Sequence, residues 1–286
     1  MSERMAVRKT YKLFIGGKFP RSESGRSYPV STPAGAFLSN AAQGSRKDAR
    51  DAVVAARGAF GAWAAATAYN RGQVLYRVAE ILEGRRDQFV EEVAAGEGCS
   101  TTAARAQVDA AIDRWVWYAG WTDKIASVAG GTNPVAGPFI DFSIPEPTGV
   151  VAVLCPQESS LLGLVSVLAP VLATGCTAVV VASQDRPLPA VTFTEVLATS
   201  DVPAGVVNLL TGSTAEIAPW LASHMDVNAL DLTGAEAVLA VSLEVAAADN
   251  LKRVIRPHVE DLTARPGIDR MLAVLETKTV WHPIGV

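Results

Sequence analysis

Cys99, Cys155 and Cys176 carry the most reactive side-chain chemistry in this sequence, because a thiolate is both a nucleophile and a metal ligand. Cys155 ends an apolar run, Cys176 precedes the next one, and Cys99 lies near a helix terminus. Nothing near them supplies the electropositive, accessible setting that lowers a thiol pKa, so all three read as inert. Glu158 follows the first of these runs and is a lone carboxylate, as suited to solvent or an interface as to base catalysis. His258 and His282 lack the spacing of metal ligands, so no metal site is expected, and His224, before a strand, reads as a loop residue. Trp115, Trp117, Tyr118 and Trp121 fall along one helix and its exit, where aromatic residues serve packing more often than ligand binding.

The chain has 286 residues, 49% hydrophobic and 7% aromatic, with a net charge of −4. That length buries a large core in one or two domains. The hydrophobicity excludes general disorder. No strongly basic stretch stands out, so no nucleic-acid partner is expected. MSERMAVRKTYKLF lacks the apolar core of a signal peptide, and the apolar stretch 161–173 is too short to span a bilayer. Three widely spaced cysteines fit a reducing, cytoplasmic setting rather than a disulfide framework.

The elements that must position any site show two rhythms. Residues 12–26 read as two strands about a Gly16-Gly17 turn. Ser45-x-x-Asp48 reads as a helix start of the capping-box kind, followed by Val53, Ala56, Phe60 and Trp63 at helical spacing. Asn70 and Asp87 read as openings of two further helices, and Val108, Ala111, Ile112, Trp115 and Tyr118 form the stripe of a fourth. FIDFSI, residues 139–144, alternates as a strand with one buried face that ends at Pro145 and Pro147. Five short apolar runs follow (150–154, 178–181, 206–210, 229–232 and 251–255), separated by helical stretches. Runs without polar alternation are strands buried on both faces, and with helices between them they predict a parallel, doubly wound sheet. Ligands of such sheets sit beyond the carboxyl ends of the strands.

LFIGGKF, AVVAARGAFGAW, PTGVVAVLCP, LAPVLATGCTAVVV, VPAGVVNLLTG, SHMDVNALDLTG and NLKRV together resemble the aldehyde dehydrogenase family, and the tail ETKTVWHPIGV resembles its C-terminal strand. The resemblance implies an α/β fold: N-terminal helices plus a Rossmann-like doubly wound parallel sheet, with a strand-based oligomerisation element. It divides the chain into an N-terminal helical part (1–130), oligomerisation strands (131–148), the Rossmann-like coenzyme-type part (149–262), and a linker with the closing strand (263–286). The family's nucleophilic cysteine belongs to a domain between LKRVIR and that tail, and here this domain is expected to be absent.

The family's site residues can be carried over one position at a time. The family's Pro-Trp-Asn, whose Asn donates to the oxyanion, becomes Pro156-Gln157-Glu158, and a carboxylate opposes the charge that donors should stabilise. Val181 stands for the cofactor-binding Lys and Gln184 for the Glu of the same motif. The pyrophosphate turn reads Leu232-Thr233-Gly234-Ala235, with Leu239 at a later Gly position, and Pro257 lies in the region of the general base. Pro156, Thr233 and Gly234 are therefore vestigial cofactor positions. A helix start can still attract phosphate, so weak NAD(P) binding is the most that is expected, with no resident cofactor and no catalytic residues. The resemblance implies a non-catalytic subunit that pairs with itself or with a complete aldehyde dehydrogenase. The residues expected at that assembly are Phe139, Ile140, Phe142 and Ile144 with Thr279, Val280, Trp281 and His282. The alternative is an oxidoreductase of the family with residual NAD(P) binding or activity.

Overall fold

Ser45 opens the first long helix through a reciprocal pair of bonds: its hydroxyl accepts from Asp48 N–H at 3.3 Å, and the Asp48 carboxylate accepts from Ser45 N–H at 2.8 Å. This capping box starts α1 (Arg46–Ala65), whose Val53, Ala56 and Trp63 are buried. Four more helices follow: α2 (Ala68–Gly84), α3 (Arg86–Glu97), α4 (Thr101–Ala119) and the short α5 (Ile125–Ala129). Thr67, not Asn70, caps α2, because its hydroxyl accepts from the Asn70 amide at 3.2 Å. α3 begins at Arg86, so Asp87 lies in its first turn rather than at its cap. The structure is a computed structural model describing residues 9–258 and 260–285. Most of the N-terminal stretch read for a signal peptide, the middle of Pro257–Asp261, and Val286 of the closing tail lie outside those residues.

The apolar runs form the parallel sheet expected of them. Its strands are β5 (Val150–Leu154), β6 (Thr177–Val181), β7 (Val207–Leu210), β8 (Ala229–Asp231) and β9 (Arg253–Ile255), in the order β7-β6-β5-β8-β9. Alternate residues of each strand feed separate cores. Val151, Val153, Ala178 and Val180 pack toward α2–α4, α6 (Leu162–Ala173) and α7 (Leu188–Ala198). Val150, Ala152, Val179 and Val181 pack toward α1, α8 (Thr214–Ser223) and α9 (Ala237–Ala248). Both faces are covered, which is why these strands carry no polar alternation.

The N-terminal strands differ from expectation. Tyr11, Phe14 and Ile15 make only isolated bridges, and the Phe14 backbone pairs with Leu209 of β7 rather than with its own hairpin. The Gly16-Gly17 turn is present, with φ of 58° and 75° at the two glycines. The true hairpin is β1 (Ser27–Ser31) with β2 (Phe37–Ala42). It escaped notice because its residues lack an apolar alternation.

A second, three-stranded sheet has the order β10-β4-β3, from β3 (Gly131–Asn133), β4 (Phe139–Pro147) and β10 (Leu275–Pro283). β4 runs through Pro145 and Pro147, which pair with Thr277 and Leu275. β3 reaches only as far as Ser143, so on that side both prolines face an open edge, where a missing N–H costs nothing. Asp141 is buried, while Ile140 and Ile144 on the opposite face are exposed, as is Phe139 at the end of the Asp141 face. Asn133 donates to Asp141 at 3.1 Å and to Ser143 at 2.9 Å, and the Ser143 and Thr279 hydroxyls lie 2.9 Å apart. These bonds satisfy the polar side chains within the sheet and leave Ile140 and Ile144 open on the opposite face.

Candidate functional site

The strand order reverses between β5 and β8, and the crevice at their carboxyl ends is where a sheet of this type receives a ligand. Gly234 crosses this point against the β5 exit. A Cβ on it would lie 1.8 Å from the Cys155 carbonyl oxygen, so only glycine fits. Its amide donates to the Leu154 carbonyl at 2.9 Å. Thr233 is committed as well, its amide 3.0 Å from an Asp231 carboxylate oxygen that its hydroxyl also reaches. Leu239 is half-buried against the α9 core. Glu236 precedes α9 and is exposed, a carboxylate at the positive end of a helix dipole. Sequence reasoning passed over Glu236, although its place directly after Thr-Gly-Ala was the signal.

At the β5 and β6 exits, Pro156 packs over Gly163, where an added Cβ would meet the proline ring at 3.1 Å. The Gln157 side chain folds back, donating to the Cys155 carbonyl at 2.8 Å and accepting from the Gln184 amide at 2.9 Å. Glu158 points to solvent, and its carbonyl accepts from Arg186. Val181 is fully buried in the core shared with α1 and α8.

The crevice is closed by residues that sequence reasoning did not single out. Arg270 lies in α10 (Asp269–Leu272), a single turn in the segment left open between helix and strand. Its side chain is 9% exposed and bonds Asp231 at 2.8 Å and Glu260 at 2.7 Å. It also reaches the Thr233 hydroxyl at 3.2 Å. Burial alone would lower the guanidinium pKa, but Asp231 and Glu260 outweigh it and hold it above its ordinary value. Burial pushes the Asp231 carboxyl up, against the opposing pull of Arg270.

From the other side, Arg114 of α4 donates to the Leu262 carbonyl at 2.7 Å and the Ala264 carbonyl at 3.0 Å, and also bonds Ser166. Tyr118 donates to the Gly267 carbonyl at 3.4 Å, and burial pushes its phenol up to about 12. Residues 260–270 are thus pinned at three points over the carboxyl ends of β5 and β8. The aromatic cluster on α4 serves packing, as read: Trp115 stacks on Phe193 at 5.7 Å and Trp117 meets Tyr118 edge-on at 4.8 Å. The available signals were an Asp inside the apolar run Ala229–Leu232 and an Arg beside Trp115 in the helix stripe.

All three cysteines are free thiols. Burial pushes the Cys155 and Cys176 thiols up, and burial, then Glu97, raises Cys99. An alkylating reagent at mildly alkaline pH is therefore expected to leave Cys155 and Cys176 unmodified in the folded chain and to react with Cys99 more slowly than with free cysteine. Peptide mass mapping reads the result, and rapid labelling of Cys155 would contradict this burial. His258 lies near Glu260, Nε2 to carboxylate 3.6 Å, and exposed His282 pairs with Ile140 across the second sheet. His224 caps its own loop by accepting from the Asp226 amide at 3.1 Å. Among the described residues no group of three or more His, Cys, Asp or Glu could hold a metal, and no helix is long and apolar enough to cross a membrane.

The parallel sheet, its covered faces and the crevice at its switch point define a Rossmann-like α/β domain, here joined to a small antiparallel sheet. The chain belongs to the aldehyde dehydrogenase family, whose profile matches residues 19–256. It is 32% identical over 261 residues to the cytosolic 10-formyltetrahydrofolate dehydrogenase of Mus musculus, covering 88% of this chain and 28% of that protein. It is 33% identical over 251 residues to the cytosolic aldehyde dehydrogenase 1 of Elephantulus edwardii, covering 85% and 49%. The NAD+ complex of an aldehyde dehydrogenase from Bacillus cereus superposes with a TM-score of 0.80 at 28% identity, covering 86% of this chain and 50% of that one. The chain therefore spans half or less of the length of these relatives.

Proposed function

We propose that this chain is a non-catalytic subunit of an aldehyde dehydrogenase assembly, docking through its second sheet onto a complete aldehyde dehydrogenase or a second copy of itself. The observation that carries this reading is the exposed apolar surface on both faces of the β4–β10 pair. Ile140 and Ile144 are exposed on one face and Phe139 and Trp281, their rings 5.8 Å apart, on the other, with Trp281 at 59%. Phe142 and Val280, paired across the two strands, are partly buried. Among the described residues nothing pairs with the outer edge of β10, whose backbone is a template for another strand. Thr279 lies on the Trp281 face and His282 on the Ile140 face, both exposed. A second exposed stripe, Val238, Val241 and Val245 on α9, suits assembly for the same reason.

The crevice residues do not fit a dinucleotide. The Thr233 hydroxyl and Gly234 amide are spent on protein partners, and Glu236 opposes a phosphate at the start of α9. At the position matched to the cofactor lysine, Val181 is an apolar core residue. This chain accordingly has no resident cofactor under this reading.

Co-expression with a complete aldehyde dehydrogenase of the same organism, followed by affinity capture, tests the docking surface. Trp281→Asp is expected to cut recovery of the partner about ten-fold or more, the effect of removing one central aromatic anchor. Its melting temperature should stay close to the parent's, because the side chain is exposed. Equal recovery with the variant would overturn the assignment of this surface.

A further inference from the structure

A groove of about 370 Å3 is floored by β1 and β2 and shares no lining residue with the crevice or the second sheet. Four cations line it, Lys9, Lys12, Arg21 and Arg26, and no aspartate or glutamate does. The chain as a whole carries a net charge of −4, so this concentration runs against its overall balance. Lys9 is committed, 2.7 Å from Glu195 and 2.9 Å from the Thr192 hydroxyl. Arg26 makes two long exposed contacts, with Glu216 and the Ser24 hydroxyl, both at 3.4 Å. Lys12 and Arg21 make no ion pair or side-chain hydrogen bond among the described residues, and the side chains of Ser27 and Asn40 on the groove floor make none either. Like charges held together without counter-charges repel, and a bound anion relieves that cost.

We propose that this groove binds a small organic phosphate carrying two adjacent phosphate groups. The donor count selects phosphate over carboxylate. An ammonium, a guanidinium, a hydroxyl and an amide offer more N–H and O–H groups than the two oxygens of one carboxylate accept, and a diphosphate supplies enough oxygens. The guanidinium fork of Arg21 suits bidentate phosphate binding, with Lys12 as the point charge beside it. Tyr11 and Ala41 supply apolar wall for the organic portion, and the groove volume lies within the usual range for small-ligand sites.

Calorimetric titration of the full chain with inorganic pyrophosphate and with ADP, at low ionic strength, tests this. Both probes are expected to bind saturably at one site. Lys12→Ala combined with Arg21→Ala should weaken binding about 100-fold or more, the loss of two charge-assisted contacts. Asn40→Asp, which places a negative charge on the groove floor, should weaken it as well. Lys18→Ala removes an exposed cation that does not line the groove and should change nothing. Absence of saturable binding by either probe would overturn the proposal, as would an equal loss in Lys18→Ala. Citrate binding as tightly as pyrophosphate would overturn the assignment to phosphate.

Discussion

Arg270→Ala is expected to destabilise the folded chain by about 3–5 kcal/mol, the cost of leaving one member of a buried ion pair without its partner. Asp231 is 1% exposed at the carboxyl end of β8, and Arg270 is its only cationic neighbour at ion-pairing distance among the described residues. The same substitution removes the anchor of Glu260 and one partner of Thr233, so the segment over the crevice loses its central attachment. Replacing both charges together, as Asp231→Leu with Arg270→Met, should cost far less, because an apolar pair of similar volume leaves no buried charge. Arg253→Ala provides the contrast. That residue pairs with Glu276 at 2.6 Å in an exposed setting, and its loss should cost about 1 kcal/mol or less. Urea unfolding of the three variants ranks these effects. An Arg270→Ala variant as stable as the parent would show that the segment is not held this way.

The purified chain is expected to oxidise no aldehyde above the uncatalysed rate, with NAD or with NADP. A working enzyme accelerates its reaction about 10⁶-fold or more, so the two outcomes are far apart. Cys155 and Cys176 are buried, and Glu158, exposed after β5, is a carboxylate that would oppose an oxyanion rather than donate to it. Dinucleotide affinity should be millimolar or weaker, about −4 kcal/mol or less favourable. Val181→Lys is not expected to restore it, because the new ammonium would enter an apolar core rather than the crevice. Steady-state assays over several aldehydes decide the matter. Clear turnover abolished by Cys155→Ser or Glu158→Gln would overturn the non-catalytic reading.

The parallel sheet was legible because β5 to β8 are buried on both faces, a condition that leaves a local mark in the sequence. The capping box at Ser45 and the turn at Gly16-Gly17 were legible for the same reason, since each is decided by a few adjacent residues. Elements decided by distant partners were not. Phe14 pairs with Leu209, and no local pattern announces a bridge across the chain. In β4 the alternation shows that two faces differ without showing which one is covered. Asn133 and Thr279 made the Asp141 side the satisfied one. At the crevice, Pro156, Thr233 and Gly234 were found from the family's motif, but Arg270 belongs to no motif. Its role arises from Asp231, 39 residues earlier in the chain.

The native mass of the chain, measured by light scattering alone and after co-expression with a complete aldehyde dehydrogenase of the same organism, tests the central claim most directly. The account predicts an assembly containing this chain, either a self-assembled oligomer or a stable complex of both chains. A particle with the mass of a single chain in both preparations would contradict it.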